Sequence, residues 1–300
     1  MPLLFTSCEV GAKDVKKLST IFFICVFGQQ TYGQPLSATS IHWKKNQLKS
    51  KIDSMEEALE QKNQFHFQSG YANKVIFAGR NFGVNQFGAT LGASYHHKSG
   101  INFEYNGNYW SGMPNRYALT EVGAYYEKPL SESFYLTSGY WRLSYNNGDE
   151  EERNVFTNFF MLDESWYTSV GLLNLSYYFI KGDESAHRLD ATFSRSIDFY
   201  HFLHGDKVSI VPTFTATFAT VNYLFFLSSL AELTTENENA FKAGNYEFAL
   251  PVVYKKLGEF EINAAWHYAI PVAIVNEEQV HQVSYFTFEI IRTLLLKKLI

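Results

Sequence analysis

Cysteine is nearly absent from this chain. Its two examples, Cys8 and Cys25, both precede residue 34. The rest of the chain therefore has no disulfide and no thiolate chemistry, and must rest on hydrogen bonds and packing. Positive charge is also short. With 25 Lys and Arg against 30 Asp and Glu the net charge is −5, which argues against a nucleic-acid partner, since phosphate binding needs clustered cations. After residue 33 no run of 18 apolar residues occurs, so no membrane-spanning helix is expected. Helical periodicity is equally scarce beyond residue 64.

Aromatic residues are plentiful, with 27 Phe and 20 Tyr, and these favour strands. At the N-terminus, "KDVKKLSTIFFICVFGQQTYGQ" (13–34) has the form of an export signal. Lys13, Lys16 and Lys17 form its basic flank, and Leu18 to Phe27 its short apolar core. Thr31 and Gly33 are the small residues before a cleavage site at Gln34. The signal is thus placed at 1–33. Residues 34–63 form an extension in which Leu48, Ile52, Met55 and Leu59 recur at helical spacing, predicting one amphipathic helix over 40–62.

From residue 64 the period changes to two. In "INFEYNGNYW" (101–110), Ile101, Phe103 and Tyr105 share one face, and Asn102, Glu104 and Asn106 the other. "FGATLGASYH" (87–96) sets Phe87 and Leu91 against Thr90 and His96. "HRLDATFSRSID" (187–198) has a polar face of Arg188, Asp190, Thr192, Ser194, Ser196 and Asp198. "FEINAAWHYAIPV" (260–272) sets Trp266 and Tyr268 against Glu261, Asn263 and His267. These runs are about ten to thirteen residues long. Soluble strands are commonly about five to six, whereas a tilted strand crossing a bilayer needs about nine to eleven. Tyr95, Tyr109, Trp110, Tyr145 and Tyr268 gather near the ends of runs, as in interfacial aromatic girdles.

Turn signals punctuate the runs. "HKSG" (97–100), "PLSES" (129–133), "KGDES" (181–185) and "KKLGE" (255–259) are short. "WSGMPNR" (110–116), the acidic 146–165 and 234–245 are longer. Alternation of short and long connections suits a barrel with short periplasmic turns and long external loops. The expected fold is all-β: a single closed antiparallel transmembrane barrel over 64–291, with 292–300 as an overhang. Eleven segments are clear. An even count requires one more, placed at 219–231, to give twelve strands, with ten as the alternative.

On "FGATLGASYHHKSGINFEYNG", "GYWRLSYNNG" and "YEFALPVVYKKLGEFEINAAWHYAIPV", the chain resembles outer-membrane β-barrel proteins of Gram-negative bacteria, especially barrels common in Bacteroidota. The resemblance covers 64 to about 291 and is architectural. It implies outer-membrane lipid and the barrel-assembly machinery as partners, and a small solute as a possible third. Such barrels usually end on a strand with a terminal aromatic residue, whereas this chain runs on past Phe286 and Phe288 into "EIIRTLLLKKLI".

The wet faces supply the lumen-facing candidates Asn102, Glu104, Arg142, Arg188, Asp190, Asp198, Glu261 and His267. A charge network is their ordinary role, since an unpaired buried charge is costly. "SRSIDFYHF" (194–202) holds Ser194, Ser196, Asp198 and His201, the residue types of an acyl-transfer triad. On a strand His201 falls on the other face, so the grouping fails. His96 and His97 point to opposite faces, and no metal or other cofactor is expected. In the acidic loop, Phe156, Phe159, Phe160 and Met161 would serve either as plain connection or as a lid. The expected function is a non-enzymatic outer-membrane pore, transporter or structural barrel. An outer-membrane lipid hydrolase is the alternative, and a secreted β-sandwich or lipocalin-like binder the weaker one.

Overall fold

The computed structural model describes residues 63–77, 80–81, 86–111, 117–145, 156–200, 206–228, 240–256, 258–273 and 281–296. The expected export signal, the 40–62 helix, the acidic run at 149–152 and His201 lie outside the described residues.

The strands, in chain order, are β1 (Gln64–Ala72), β2 (Ile76–Phe77), β3 (Arg80–Asn81), β4 (Gly88–His96), β5 (Ile101–Trp110), β6 (Tyr117–Ser131), β7 (Phe134–Tyr145), β8 (Asn158–Tyr167), β9 (Leu172–Lys181) and β10 (Ser185–Ser194). They continue as β11 (Ile197–Tyr200), β12 (Lys207–Ile210), β13 (Thr213–Thr220), β14 (Phe241–Lys256), β15 (Phe260–Pro271) and β16 (Val283–Leu295). One helix, α1 (Val221–Ser228), lies between β13 and β14. Sequence neighbours pair antiparallel around the wall, and β1 pairs with β16 to close it. The result is a closed barrel of twelve wall strands: β1, β4 to β10, and β13 to β16. Closure satisfies the ladder groups that an open sheet would leave bare.

Two of these walls are longer than their labels suggest. The pairing of Ser194 with Thr213 continues in the same register as Ile197 with Ile210. The pairing of Thr213 with Ala249 likewise continues as Ile210 with Val252. The break falls at Val211–Pro212, because proline has no N–H to give the ladder. The neighbours bridge the gap: Val211 N–H donates to Pro251 O (2.9 Å) and Arg195 N–H to Pro212 O (3.2 Å).

The barrel has two unlike ends. Gln64 and Leu295 pair at one end, which also holds the turns 97–100, 132–133 and 168–171 and the strand ends Tyr200, Lys207, Lys256 and Phe260. The other end holds the strand ends Ala72, Gly88, Trp110, Tyr117, Tyr145, Asn158, Thr220, Phe241, Pro271 and Val283, which the sequence joins by long connections, and one short turn at 182–184.

Four expectations need correction. The twelfth strand is β8, inside the segment read as an acidic loop. "NFFMLDESWY" mixes polar and apolar residues on both faces, so its hydropathy has no period of two. The stretch 219–231 instead contains α1, whose "VNYLFFLS" is apolar all round and so carries no period that tells helix from strand. Because β8 intervenes, the "KGDES" turn lies at the end opposite "PLSES". Finally, β16 runs to Leu295, so the residues read as overhang from 292 begin within the wall.

Candidate functional site

Alternation around the closed wall sorts every strand into an outer and an inner face. Phe65, Phe67 and Tyr71 of β1, Leu91 of β4, Phe103 and Tyr105 of β5, and Phe286, Phe288 and Ile290 of β16 are exposed. Leu91 reaches 69% exposure and Phe286 57%, values that place whole apolar side chains outside the barrel. Asn102, at 3% exposure, and Asp190, at 7%, lie on the opposite face. At these positions apolar side chains face outward and polar ones inward.

The inner face is organised into polar networks. Gln68 Nε2 donates to Asn106 Oδ1 (2.6 Å), and Asn106 Nδ2 donates to Glu104 Oε1 (2.5 Å). Trp141 Nε1 donates to Glu104 Oε2 (3.4 Å), and its ring stacks on Tyr125 with centroids 5.8 Å apart. Small residues make room here. A Cβ at Gly123 would lie 2.2 Å from the Trp141 ring, and one at Gly92 2.1 Å from Asn106 Oδ1.

Farther round, Asp163 accepts both oxygens' bonds from Asn174 Nδ2 (2.9 and 2.8 Å) and one from the Ser176 hydroxyl. Arg188 forks onto Asp190 through Nε (3.0 Å) and Nη2 (2.6 Å), with its guanidinium 5.4 Å from the centre of the Tyr178 ring. Asp198 accepts from Ser209 Oγ (2.7 Å) and faces Lys207 Nζ at 3.7 Å. Glu247 contacts His267 Nδ1 (2.9 Å) and accepts from Tyr285 OH (3.0 Å), and His267 Nε2 contacts Thr287 Oγ1 (2.9 Å).

The Thr287–His267–Glu247 chain has the hydroxyl–imidazole–carboxylate order of an acyl-transfer triad. Its strands, however, pair on both sides. The N–H groups that an oxyanion hole would need are already engaged in the ladder. The arrangement locks the His267 ring, which stacks on Tyr285 at 4.4 Å.

The sequence-chosen residues fall as follows. Glu104, Arg188, Asp190, Asp198 and His267 enter the networks above. Asn102 is buried, and its Nδ2 donates to Gly100 O (3.0 Å) across the 97–100 turn. Glu261 lines a cavity of about 370 Å³ near the short-turn end, with His66, His96, Glu104, Tyr125 and Lys255. Arg142 is a correction: it is exposed on the outer face beside Tyr140, and its Nη1 donates to Asn158 Oδ1 (2.9 Å). Trp141 and Leu143 take the inward phase of β7, so Arg142 must point out. Sequence reasoning missed Gln68, Trp141, Asp163, Glu247 and Tyr285. Asp163 was hidden by the unrecognised β8, whereas Glu247 sits in "NYEFALPV", where the polar alternation lapses after one residue.

Toward the long-connection end the interior turns apolar. Phe156, Ile180, Ala219, Tyr223 and Leu224 are buried together. A second cluster joins Val75, Trp110, Leu119 and Leu143, and Phe159 packs against both. Helix α1 holds the first cluster in place. Val221 N–H donates to Ala240 O (2.9 Å), and Asn222 Nδ2 donates to Ser185 O (3.1 Å) and Glu184 Oε2 (3.2 Å). The sequence-predicted lid residues therefore divide. Phe156 and Phe159 point into the barrel, while Phe160, 46% exposed, lies on the outer face of β8.

No protein-family model matches the chain, and no curated protein matches it. Among solved structures, the NanC porin in a rhombohedral crystal form aligns with 75% of this chain and 98% of its own, at 11% identity and a TM-score of 0.44. The KdgM porin aligns with 76% of this chain and 98% of its own, at 10% identity and a TM-score of 0.44. Pseudomonas aeruginosa OprD aligns with 78% of this chain and 67% of its own, at 12% identity and a TM-score of 0.33.

Proposed function

We propose that this chain is an exported outer-membrane barrel that acts as a non-enzymatic pore for small polar solutes. The observation that carries the reading is the inversion of the wall, with Phe, Leu, Ile and Tyr outside and Asn, Glu, Arg and His inside. A soluble sandwich or a lipocalin-like binder buries its apolar face. A membrane barrel turns that face to lipid and keeps polar groups for its lumen. An exposed apolar belt running around a whole barrel far exceeds the few hundred Å² that soluble monomers tolerate.

In this reading the short-turn end, with both ends of the wall, faces the periplasm, and the long connections face outward. Solutes cross a lumen that is hydrophilic in its short-turn half and meet the apolar layer around Phe156, Phe159 and Tyr223. Apolar layers in a pore control passage by how readily they wet. Purified full-length protein reconstituted into liposomes should show a heat-modifiable folded band and admit small sugars or amino acids in a swelling assay. Swelling no faster than in empty liposomes, with the folded band present, would overturn the pore reading.

A further inference from the structure

We propose that the lumen selects cations over anions, a conclusion that rests on the pore reading above and names its solute class. The inward phase of the strands carries Glu104, Glu121, Glu261 and Glu289 from β5, β6, β15 and β16. The ladder sets Glu121 diagonal to Glu104, across from Asn106, and Glu289 diagonal to Glu261, across from Asn263, while Glu104 and Glu261 line one cavity. The four carboxylates therefore share one stretch of lumen.

The donors that hold Glu104 are neutral: it takes an amide N–H from Asn106 and an indole N–H from Trp141, and Glu121 faces the same Asn106 across the β5–β6 ladder. Among the described residues Arg188 forks onto Asp190 and Lys207 faces Asp198, while Lys255 stands directly across the β14–β15 ladder from Glu261. Neutral donors orient a carboxylate without cancelling its charge, whereas an ion pair cancels most of its field. The balance is a negative potential along the wall. Low-dielectric walls focus such a field, and rings of Asp or Glu confer cation preference on channels. Aromatic faces add to the same lining. Tyr125 and Glu104 border one cavity, with Trp141 stacked behind, so an organic ammonium would meet both charge and ring. Lys255 reaches that cavity and opposes the effect locally.

The test is the reversal potential of the full-length protein in planar bilayers under a KCl gradient. Potassium should permeate several-fold better than chloride. The combined variant Glu104→Gln, Glu261→Gln and Glu289→Gln should lower that ratio several-fold, toward unity. Lys255→Gln should raise it, and outer-face Arg142→Gln should leave it unchanged. Heat-modifiable mobility certifies each barrel. If the triple variant does not fold, Glu261→Gln alone must still lower the ratio. Chloride preference, or a ratio indifferent to the Glu substitutions, overturns cation selection while leaving the pore intact. A folded barrel without conductance overturns both.

Discussion

At the scale of single residues, the wall works because adjacent positions meet opposite solvents. Leu91 projects outward at 69% exposure, while Thr90, next to it, points inward and donates from Oγ1 to Asn108 Oδ1 (2.8 Å). Arginine at Leu91 would carry a guanidinium into hydrocarbon. We expect it to cost about 2–4 kcal/mol if the site lies near the midplane. Arginine at Thr90 enters a polar lumen and should cost much less. Urea titration of folded barrels in vesicles measures both, and equal losses would refute the assignment of faces. Much of this was legible in the sequence, because Ile101, Phe103 and Tyr105 against Asn102, Glu104 and Asn106 can be sorted by parity alone. Arg142 shows where parity reasoning stops. Charge suggested the lumen, but "YWRLSY" puts Trp141 and Leu143 on the other phase, and large aromatic and aliphatic side chains also occur inside this barrel. Near a rim an arginine can face outward and still reach polar company, here Asn158.

At the scale of elements, β8 and α1 decide what the lumen is like. Neither was legible, and for opposite reasons. In β8 the inward face carries Phe159, Met161, Asp163 and Ser165, so hydropathy does not alternate. Its pairing with both β7 and β9 is a tertiary fact. In α1 nearly every residue is apolar, because the helix packs among wall residues and inside the mouth. Tyr223 touches Phe156 edge-on with centroids 5.5 Å apart, and Leu224 fills the space over Gly244, where a Cβ would come within 2.6 Å. Burial pushes the Tyr223 phenol up from its ordinary range, against the pull of Arg188, so it stays neutral within this apolar layer. The element has a direct functional consequence. Phe156→Ala with Tyr223→Ala removes two aromatic rings from the apolar layer inside the barrel. Each truncation should destabilise by about 3–5 kcal/mol where the site cannot collapse. Solute entry in liposomes should nevertheless rise and admit larger sugars. An unchanged size limit in a folded double variant would mean that the apolar layer does not restrict passage.

At the scale of the whole molecule, the asymmetry of the two ends makes topology testable with a chemistry the chain itself lacks. No cysteine occurs after residue 33, so a single introduced thiol reports without background. The two most informative positions are turns that look alike in sequence. "PLSES" and "KGDES" are both short, polar and charged, and turn chemistry alone assigns them to the same side. Counting strands through β7, β8 and β9 separates them: Glu132 sits at the end that also holds Gln64 and Leu295, while Asp183 sits among the long connections. Both positions are exposed, so accessibility within the fold does not distinguish them. Under the proposed orientation, Asp183→Cys should react in intact cells with a maleimide too large to traverse the pore. Glu132→Cys should react only after the outer membrane is permeabilised. The comparison separates two kinds of error. If both positions label alike in intact cells, Asp183 and Glu132 do not lie across a bilayer and the membrane-spanning reading fails. If Glu132→Cys labels from outside and Asp183→Cys does not, the barrel spans but points the other way. The apolar layer would then lie at the periplasmic mouth, and the carboxylates of Glu104, Glu261 and Glu289 would lie between that layer and the exterior.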